Sequence, residues 1–263
     1  MSVELNERRQ LVLGGGGEDR VAKQHEAGKL TARERVNKLF DEGSFVETGV
    51  FTAAKEGASS VITGYGTVED RPVFVYAQDF TVKGGAMGEG AAKKIVELLK
   101  LAGKTGAPVV AMADSAGADL NEGAKALNAY ARIMKETAAL SGVVPQISLI
   151  LGPCAGGAAF VPELTDVVIA VEKIGQMFVT GPQGVSARTG RNVTAEDLGG
   201  AKKLVASGAA QIAAAEQQLQ VCYPSPVYCT DNAAMIGVAA YDKWLARDFA
   251  PWDLNADPRL ALG

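Results

Sequence analysis

Histidine and cysteine are scarce in this 263-residue chain, and their scarcity excludes several kinds of active site. The single histidine, His25, lies far along the chain from Ser115 and Cys154, so neither a Ser-His-Asp nor a Cys-His hydrolase is expected. We therefore expect Cys154 to be a small buried thiol. The three cysteines have no Cys-x-x-Cys spacing, which excludes a zinc ribbon, and no metal site is predicted.

Long apolar runs and nucleotide-binding motifs are also missing. No segment approaches the ~20 apolar residues of a membrane span, and the first residues lack the apolar run of a signal peptide. A sparse, odd set of cysteines suits a reducing compartment, so we expect a cytoplasmic protein. The net charge of −4 gives no reason to expect nucleic-acid binding. Because no G-x-x-x-x-G-K-[ST] sequence is present, no P-loop is predicted.

The chain is rich in glycine, with 31 glycine residues. Segments with strand patterns alternate along it with helix-length segments. This alternation predicts an α/β fold built on a parallel sheet. Residues 1–43 are predicted to form an N-terminal helical arm, in which Thr31 and Glu34 make a capping box. Residues 44–263 are predicted to form the main domain. Strands are expected at 45–52, 61–68, 73–77, 108–113, 145–151 and 165–171, and helices at 89–101, 121–140 and 230–246. Residues 181–208 are expected to be rich in loops, with one short helix that Thr194 caps and Gly199-Gly200 ends.

Two glycine-rich turns, Asp114–Asp119 and Gly152–Gly157, each follow a predicted strand. Carboxyl ends of parallel strands meet at one edge of a sheet, so both turns are expected to face one pocket. In the second turn, exposed N–H groups and the dipole of a following helix would hold the oxyanion of an enolised thioester. An ordinary tight turn is the alternative. For Asp114 and Asp119, helix capping is favoured over metal binding or base catalysis.

A series of motifs runs from about residue 14 to residue 210. They are GGGE at 15–18, KQH at 23–25, GKLTARER at 28–35, DEGSFVE at 41–47, DFTV at 79–82, DS at 114–115, GPCAGGA at 152–158 and LGG at 198–200. In this order they resemble the β-type carboxyltransferase of biotin-dependent acyl-CoA carboxylases and decarboxylases. The resemblance is to the propionyl-CoA, methylmalonyl-CoA and glutaconyl-CoA types.

This resemblance implies a crotonase-like (ClpP-like) ββα superhelix and a coenzyme A thioester as substrate. The thioester carbonyl would rest on the peptide N–H groups of Gly156 and Gly157. The residues that would border the coenzyme A are Ser115, Ala116, Gly117, Ala118 and Ala155, and those that would meet its phosphates are Lys29, Arg33 and Arg35. Because the chain contains no Met-Lys-Met biotin acceptor, the biotin is expected on a separate protein.

This sequence departs from the family's pattern, and one departure bears on the expected assembly. The family's chain has two crotonase-like halves, and this sequence resembles the first. We therefore expect a hetero-oligomer with a second carboxyltransferase half-subunit and a biotin carboxyl carrier protein. In the first turn, Ala116 and Asp119 stand where the family has glycine and arginine, and the stretch after LGG lacks the family's histidines.

The predicted activity is transfer of a carboxyl group between carboxybiotin and an acyl-CoA, and three alternatives stay open. The same subunit could serve a decarboxylase, including a sodium-pumping one, because the reaction is reversible. A biotin-independent crotonase-type hydratase or decarboxylase would turn over without a partner. A non-catalytic scaffold subunit would not bind acyl-CoA.

Overall fold

A mixed sheet organises the computed structural model, which describes residues 3–52 and 57–214. Its strands are β1 (Val46–Thr48), β2 (Val61–Val68), β3 (Arg71–Gln78), β4 (Val109–Ser115), β5 (Gln146–Ala155), β6 (Val167–Val171), β7 (Gln176–Phe178) and β8 (Ile212–Ala214). The order is β1-β2-β3-β4-β5-β6-β8, and β7 pairs with β5. Strands β1 to β3 pair antiparallel, whereas the pairings from β3 to β8 are parallel.

Strands β2 and β3 form a hairpin that precedes the first long helix. Glu69 and Asp70 connect them with φ angles of 50° and 63°, the left-handed conformation that suits a tight two-residue hairpin turn. The helix that comes after β3 gives a ββα unit, as the predicted superhelix requires. The α/β class is therefore confirmed, although the first part of the sheet is antiparallel.

Eight helices accompany the sheet in the described residues. They are α1 (Val3–Leu13), α2 (Glu18–Glu26), α3 (Ala32–Leu39), α4 (Glu89–Thr105), α5 (Ala124–Ala139), α6 (Pro182–Thr189), α7 (Ala195–Gly199) and α8 (Ala201–Ser207). Short 3₁₀ turns lie at Lys83–Gly85, Leu120–Glu122, Gly156–Phe160 and Pro162–Leu164. The predicted capping box at Thr31 and Glu34 is present.

The core has two parts, one on each face of the sheet. Helices α4 and α5 pack on one face, where Ile95, Leu99 and Ile133 are fully buried. Helix α3 covers the other face through Val36, which packs with Val75. Strand β4 is buried along its whole length, which explains its run of apolar residues from Val109 to Ala113. The arm is thus held to the sheet by apolar contacts.

Three predictions about local structure were wrong. The short helix predicted after Thr194 is present as α7, but residues 181–208 also contain α6 and α8 where loops were predicted, because glycines there cap short helices instead of breaking the chain. Strand β5 continues past Gly152 to Ala155. The helical spacing of Leu127, Tyr130, Met134 and Ala138 predicts one apolar stripe on α5, but Leu127 is 66% exposed. The predicted helix at 230–246, Cys222 and Cys229 lie outside the described residues, and the division at residue 43 stays a prediction.

Candidate active site

The two glycine-rich turns lie side by side at the carboxyl ends of β4 and β5, as the parallel pairing predicted. Ser115 pairs with Cys154 in the sheet register. A Cβ added to Gly117 would lie 2.9 Å from the carbonyl oxygen of Ala155, so the backbones of the two turns nearly touch. One substrate group placed at this edge can therefore contact both turns.

Hydrogen bonds to a neighbouring loop fix the first turn. The Ser115 hydroxyl donates to the carbonyl of Gly85 at 2.7 Å and accepts from the amide of Gly117 at 3.1 Å. The Ala116 amide donates to the carbonyl of Gly84 at 2.8 Å. Gly117 has φ of 112°, a conformation that favours glycine. Ser115 is fully buried, so its hydroxyl holds the turn in shape.

The second turn is followed by a different element from the one predicted. The residues after Ala155 form a 3₁₀ turn, Gly156–Phe160, instead of an α-helix, so the expected helix dipole is absent there. Gly156 has φ of 61°, and a Cβ added to it would meet no atom within 4 Å. This backbone is open to an approaching group. A Cβ on Gly157 would instead lie 2.8 Å from the ring of Tyr130, so Gly157 is required for packing.

Asp114, at the end of β4, is the centre of a buried ion cluster rather than a helix cap. Its carboxylate accepts hydrogen bonds from Lys29 Nζ and Gln24 Nε2, each at 2.9 Å, and forms an ion pair with Arg35 Nη2 at 2.9 Å. It also packs against Gly152, where a Cβ would overlap it. The capping prediction for Asp114 was therefore wrong, because a fully buried carboxylate needs cationic partners.

The same cluster changes the interpretation of Lys29 and Arg35. Arg35 Nη2 also donates to the carbonyl of Leu151 at 2.8 Å, and both cations are buried. Burial lowers the pKa of Lys29, an effect that the Asp114 carboxylate opposes. Contact between Arg35 and coenzyme A phosphates does not fit this arrangement, because its guanidinium is enclosed by the arm and the two strands. Lys29 also lines a cavity.

Arg33 lies in a different place from the other two predicted phosphate ligands. Its guanidinium pairs with Glu47 at 2.8 Å, beside a cavity of about 330 Å³ that Lys94 also lines. The structure thus does not bring Lys29, Arg33 and Arg35 together at one anion site.

A cavity of about 560 Å³ lies next to the two turns and is rich in cations. Gly84 and Pro153 connect it to the first and second turn, respectively. The ammonium group of Lys29 lies 4.2 Å from the centre of the Phe80 ring in its wall. The other basic residues that line it are Arg20, Lys23, Lys83 and Lys173.

Sequence reasoning missed these four residues. Arg20 and Lys23 belong to a set of basic residues on the predicted arm, a pattern typical of a solvated helix face, and no sequence motif marks Lys83 or Lys173. A usable signal was present, because Lys83 and Lys173 each lie within a few residues after the carboxyl end of a parallel strand. Loops at those ends face the ligand side of such sheets.

The remaining candidates have structural roles. Cys154 is fully buried, as predicted, and burial raises its pKa to about 12. Asp119 caps the 3₁₀ turn Leu120–Glu122 by accepting from the Asn121 amide at 3.0 Å, also as predicted. Within residues 3–52 and 57–214, no group of three or more His, Cys, Asp or Glu side chains is placed to hold a metal ion. In the same ranges no helix combines the length and apolar character needed to cross a bilayer.

Comparisons with known proteins identify the family to which this chain is similar. The model of the carboxyl transferase domain family matches residues 23–224. The chain is 50% identical, over 208 residues, to the methylmalonyl-CoA decarboxylase subunit alpha of Propionigenium modestum, covering 75% of this chain and 40% of that protein. It is 47% identical to the propionyl-CoA carboxylase beta chain of Saccharopolyspora erythraea, covering 76% and 38%. The chain thus spans about two fifths of the length of these curated relatives.

Solved structures show the same relationship. A transcarboxylase 12S structure with hydrolysed methylmalonyl-coenzyme A bound superposes with a TM-score of 0.76 at 46% identity, over 81% of this chain and 44% of that one. The beta subunit of Pseudomonas aeruginosa geranyl-CoA carboxylase gives 0.72 at 31% identity, over 81% and 41%. These neighbours have crotonase-like folds, which confirms the predicted fold class. The matched region contains both glycine-rich turns, and the chain belongs to the carboxyl transferase domain family.

Proposed function

We propose that this chain binds a short acyl-CoA and stabilises its enolate while a carboxyl group is transferred to or from carboxybiotin. The observation that carries the proposal is the adjacency of two backbone turns and a cation-lined cavity of about 560 Å³. The named relatives act on methylmalonyl-CoA and propionyl-CoA, so a short, branched or linear acyl group is the proposed substrate class.

Coenzyme A is proposed to lie in the cavity, with its phosphates among the exposed cations of the wall. Arg20, Lys23, Lys83 and Lys173 surround the space from three different segments, so their charges converge on it. Lys29 contributes while it remains paired with Asp114. This set replaces Arg33 and Arg35 as the proposed phosphate ligands.

The thioester is proposed to lie across the two turns. In this arrangement the amides at Gly156 and Gly157 donate to the carbonyl oxygen, and their hydrogen bonds strengthen as negative charge develops on it. Ser115, Ala116, Gly117, Ala118 and Ala155 border the acyl-pantetheine portion. Carboxybiotin on a separate carrier would supply the activated carboxyl group. The chain's part is then to hold the thioester and stabilise the enolate.

No protein base is required from the described part of this site, because the biotin ureido group that gives up the carboxyl group would take the α-proton of the thioester. The chain's one histidine, His25, pairs with Glu34 at 2.9 Å on the arm. Cys154 is fully buried and protonated at neutral pH. A site built on positioning and electrostatic stabilisation fits these side chains better than acid–base catalysis does.

A second crotonase-like half, together with a biotin carboxyl carrier protein, is proposed to complete the active site. Exposed apolar side chains support such a contact, because Leu120, Leu127 and Phe160 are 90%, 66% and 48% exposed on elements that pack against one another near the second turn. Size-exclusion chromatography and mass spectrometry of the tagged chain from its own cells test this. Purification of the chain alone, fully active, would favour a biotin-independent crotonase reaction.

Acyl-CoA binding tests the central proposal. Propionyl-CoA at 100 times its Kd should add about 2.7 kcal/mol to the free energy of unfolding. Lys23→Glu should weaken propionyl-CoA binding at least tenfold and leave propionyl-pantetheine, which lacks the nucleotide phosphates, unaffected. Lys93→Glu, on the exposed face of α4, is the matched control. If no acyl-CoA binds, or if both substitutions weaken binding equally, the proposed site is wrong.

The decarboxylase direction is a second candidate, favoured by the 50% identity to a methylmalonyl-CoA decarboxylase subunit. Exchange of ¹⁴C between methylmalonyl-CoA and the biotinyl carrier, measured with the purified complex, reports the transfer itself. Dependence of net decarboxylation on a membrane fraction and sodium would identify the decarboxylase. Net carboxylation driven by ATP and bicarbonate would identify the carboxylase.

A further inference from the structure

Tyr130 is a side chain of α5 that lies against the second turn of the candidate site and near Ser115 of the first turn. It lies on the buried face of α5 and is 2% exposed. Its ring packs on Gly157, where an added Cβ would be 2.8 Å from a ring carbon. The position of the ring therefore limits where the second turn can lie.

The hydroxyl of Tyr130 is the unusual part of this contact. The oxygen is buried and has no hydrogen-bond partner among the described residues. Burial raises the pKa of Tyr130, so the hydroxyl keeps its proton, and the nearby Ser115 and Gln78 side chains oppose the rise. A phenylalanine would fill the same space without leaving a polar atom unpaired, so packing alone does not account for the hydroxyl.

Ser115 has one hydrogen-bonding position left. A hydroxyl has one proton to donate and two lone pairs to accept with. Ser115 Oγ donates its proton to the Gly85 carbonyl and accepts from the Gly117 amide. One lone pair of Ser115 remains free, and the Tyr130 hydroxyl, which makes no hydrogen bond here, has the Ser115 and Gln78 side chains beside it. A small movement of the first turn toward α5 would pair them.

We propose that Tyr130 is a positioning residue that sets the spacing of the two turns. Its ring holds Gly157, and its hydroxyl donates to Ser115 when the turns close on a bound thioester. The hydrogen bond forms only in the closed arrangement, so it supports the step in which the enolate forms rather than initial binding. This inference rests on the proposed function, because it assumes that both turns contact the substrate.

Tyr130→Phe is the test variant, and Thr137→Val is its matched control. Thr137 lies on the same helix and also has a buried hydroxyl without a partner in the described residues. Both substitutions remove one unpaired hydroxyl and keep the shape of the side chain, so both proteins should be at least as stable as the wild type. Only the first should change the site.

Two measurements report the effect. In the purified complex, Tyr130→Phe should lower kcat about tenfold, which corresponds to ~1.4 kcal/mol of transition-state stabilisation, with KM for propionyl-CoA within about twofold. In the chain alone, isotope-edited infrared spectra of propionyl-CoA labelled with ¹³C at its carbonyl should show the band of bound thioester at lower frequency. Tyr130→Phe should lose at least about half of that shift, and Thr137→Val none.

A Ser115→Ala background identifies the route of the effect. If Tyr130 acts through Ser115, adding Tyr130→Phe to Ser115→Ala should change kcat and the carbonyl band no further. The inference is overturned if Tyr130→Phe matches wild type in both measurements, or if Thr137→Val has the same effect. If the wild-type chain binds no acyl-CoA, the proposed function itself fails and this inference fails with it.

Discussion

Replacing Asp114 with asparagine should destabilise the protein strongly, because it neutralises the centre of a buried charge cluster. The carboxylate is fully buried, accepts hydrogen bonds from Lys29 and Gln24 at 2.9 Å each and forms an ion pair with Arg35 at 2.9 Å. Asparagine keeps the shape but leaves two cations without a counter-charge, and its own N–H₂ group faces donors. Breaking a buried ion pair in this way costs about 3–5 kcal/mol.

The size of the effect can be expressed as a melting temperature. For a domain of about 150–250 residues each kcal/mol lowers Tm by about 2–4 °C, so Asp114→Asn should lower it by roughly 6–20 °C. Differential scanning calorimetry measures this fall. Lys202→Met is the control, because Lys202 and Glu172 form an exposed pair at 3.6 Å that is worth at most about 1 kcal/mol.

A double variant tests the physical reason. Adding Lys29→Met to Asp114→Asn removes one of the two uncompensated cations, so the double variant should be less destabilised than the sum of the single changes. Hydrogen exchange should show that α2 and α3 lose protection first. The account of this cluster is refuted if the losses in unfolding free energy from the two substitutions simply add. It is also refuted if the Asp114→Asn protein is as stable as the Lys202→Met control.

Three further predictions concern groups without a role in the proposed chemistry. Burial lowers the pKa of Lys94 to about 8, so the unfolded chain binds the extra proton between pH 8 and 10.5. Stability should therefore rise with pH in that window by up to about 1.4 kcal/mol per unit, and urea unfolding of Lys94→Met should lack this rise. Cys154 has a pKa of about 12, so roughly one thiol in ten thousand is ionised at pH 8. Peptide mass spectrometry should find it alkylated by iodoacetamide only after urea is added, and rapid native labelling would contradict its burial. Gly152→Ala should cost about 2–4 kcal/mol in chemical denaturation, because the new Cβ overlaps the Asp114 carboxylate. Gly181→Ala, whose Cβ would have ordinary contacts, should cost under about 1 kcal/mol.

The fold was largely predictable because its strands carry strong local patterns. Buried runs such as those of β3 and β4 need apolar residues on both faces, and the Thr31 cap follows from nearest-neighbour chemistry. Helices α6 and α8 were missed, because glycines at their ends resemble loop residues until tertiary contacts define them as caps. The exposure of Leu127 was also missed, because the spacing of apolar residues along a helix does not show which of them face the sheet.

The site was predictable in its backbone and less so in its charges. Adjacent turns follow from parallel strands, whose carboxyl ends must share an edge. Lys29 and Arg35 both pair with Asp114, which lies about eighty residues away in the sequence, and no local pattern predicts such a pairing. The cations of the cavity come from three segments that only folding brings together. Tyr130 looked like a core residue, and its unpaired hydroxyl appears only in three dimensions.

The contact between Lys29 and Asp114 also has a consequence for synthesis. The two residues are 85 positions apart. A ribosome adding ~5–20 residues per second makes the lysine roughly 4–17 s before its carboxylate partner exists. Throughout that interval the ammonium group stays hydrated, because burying it alone is too costly. The helices of the arm therefore dock only after the fourth strand has been made, although they leave the ribosome earlier.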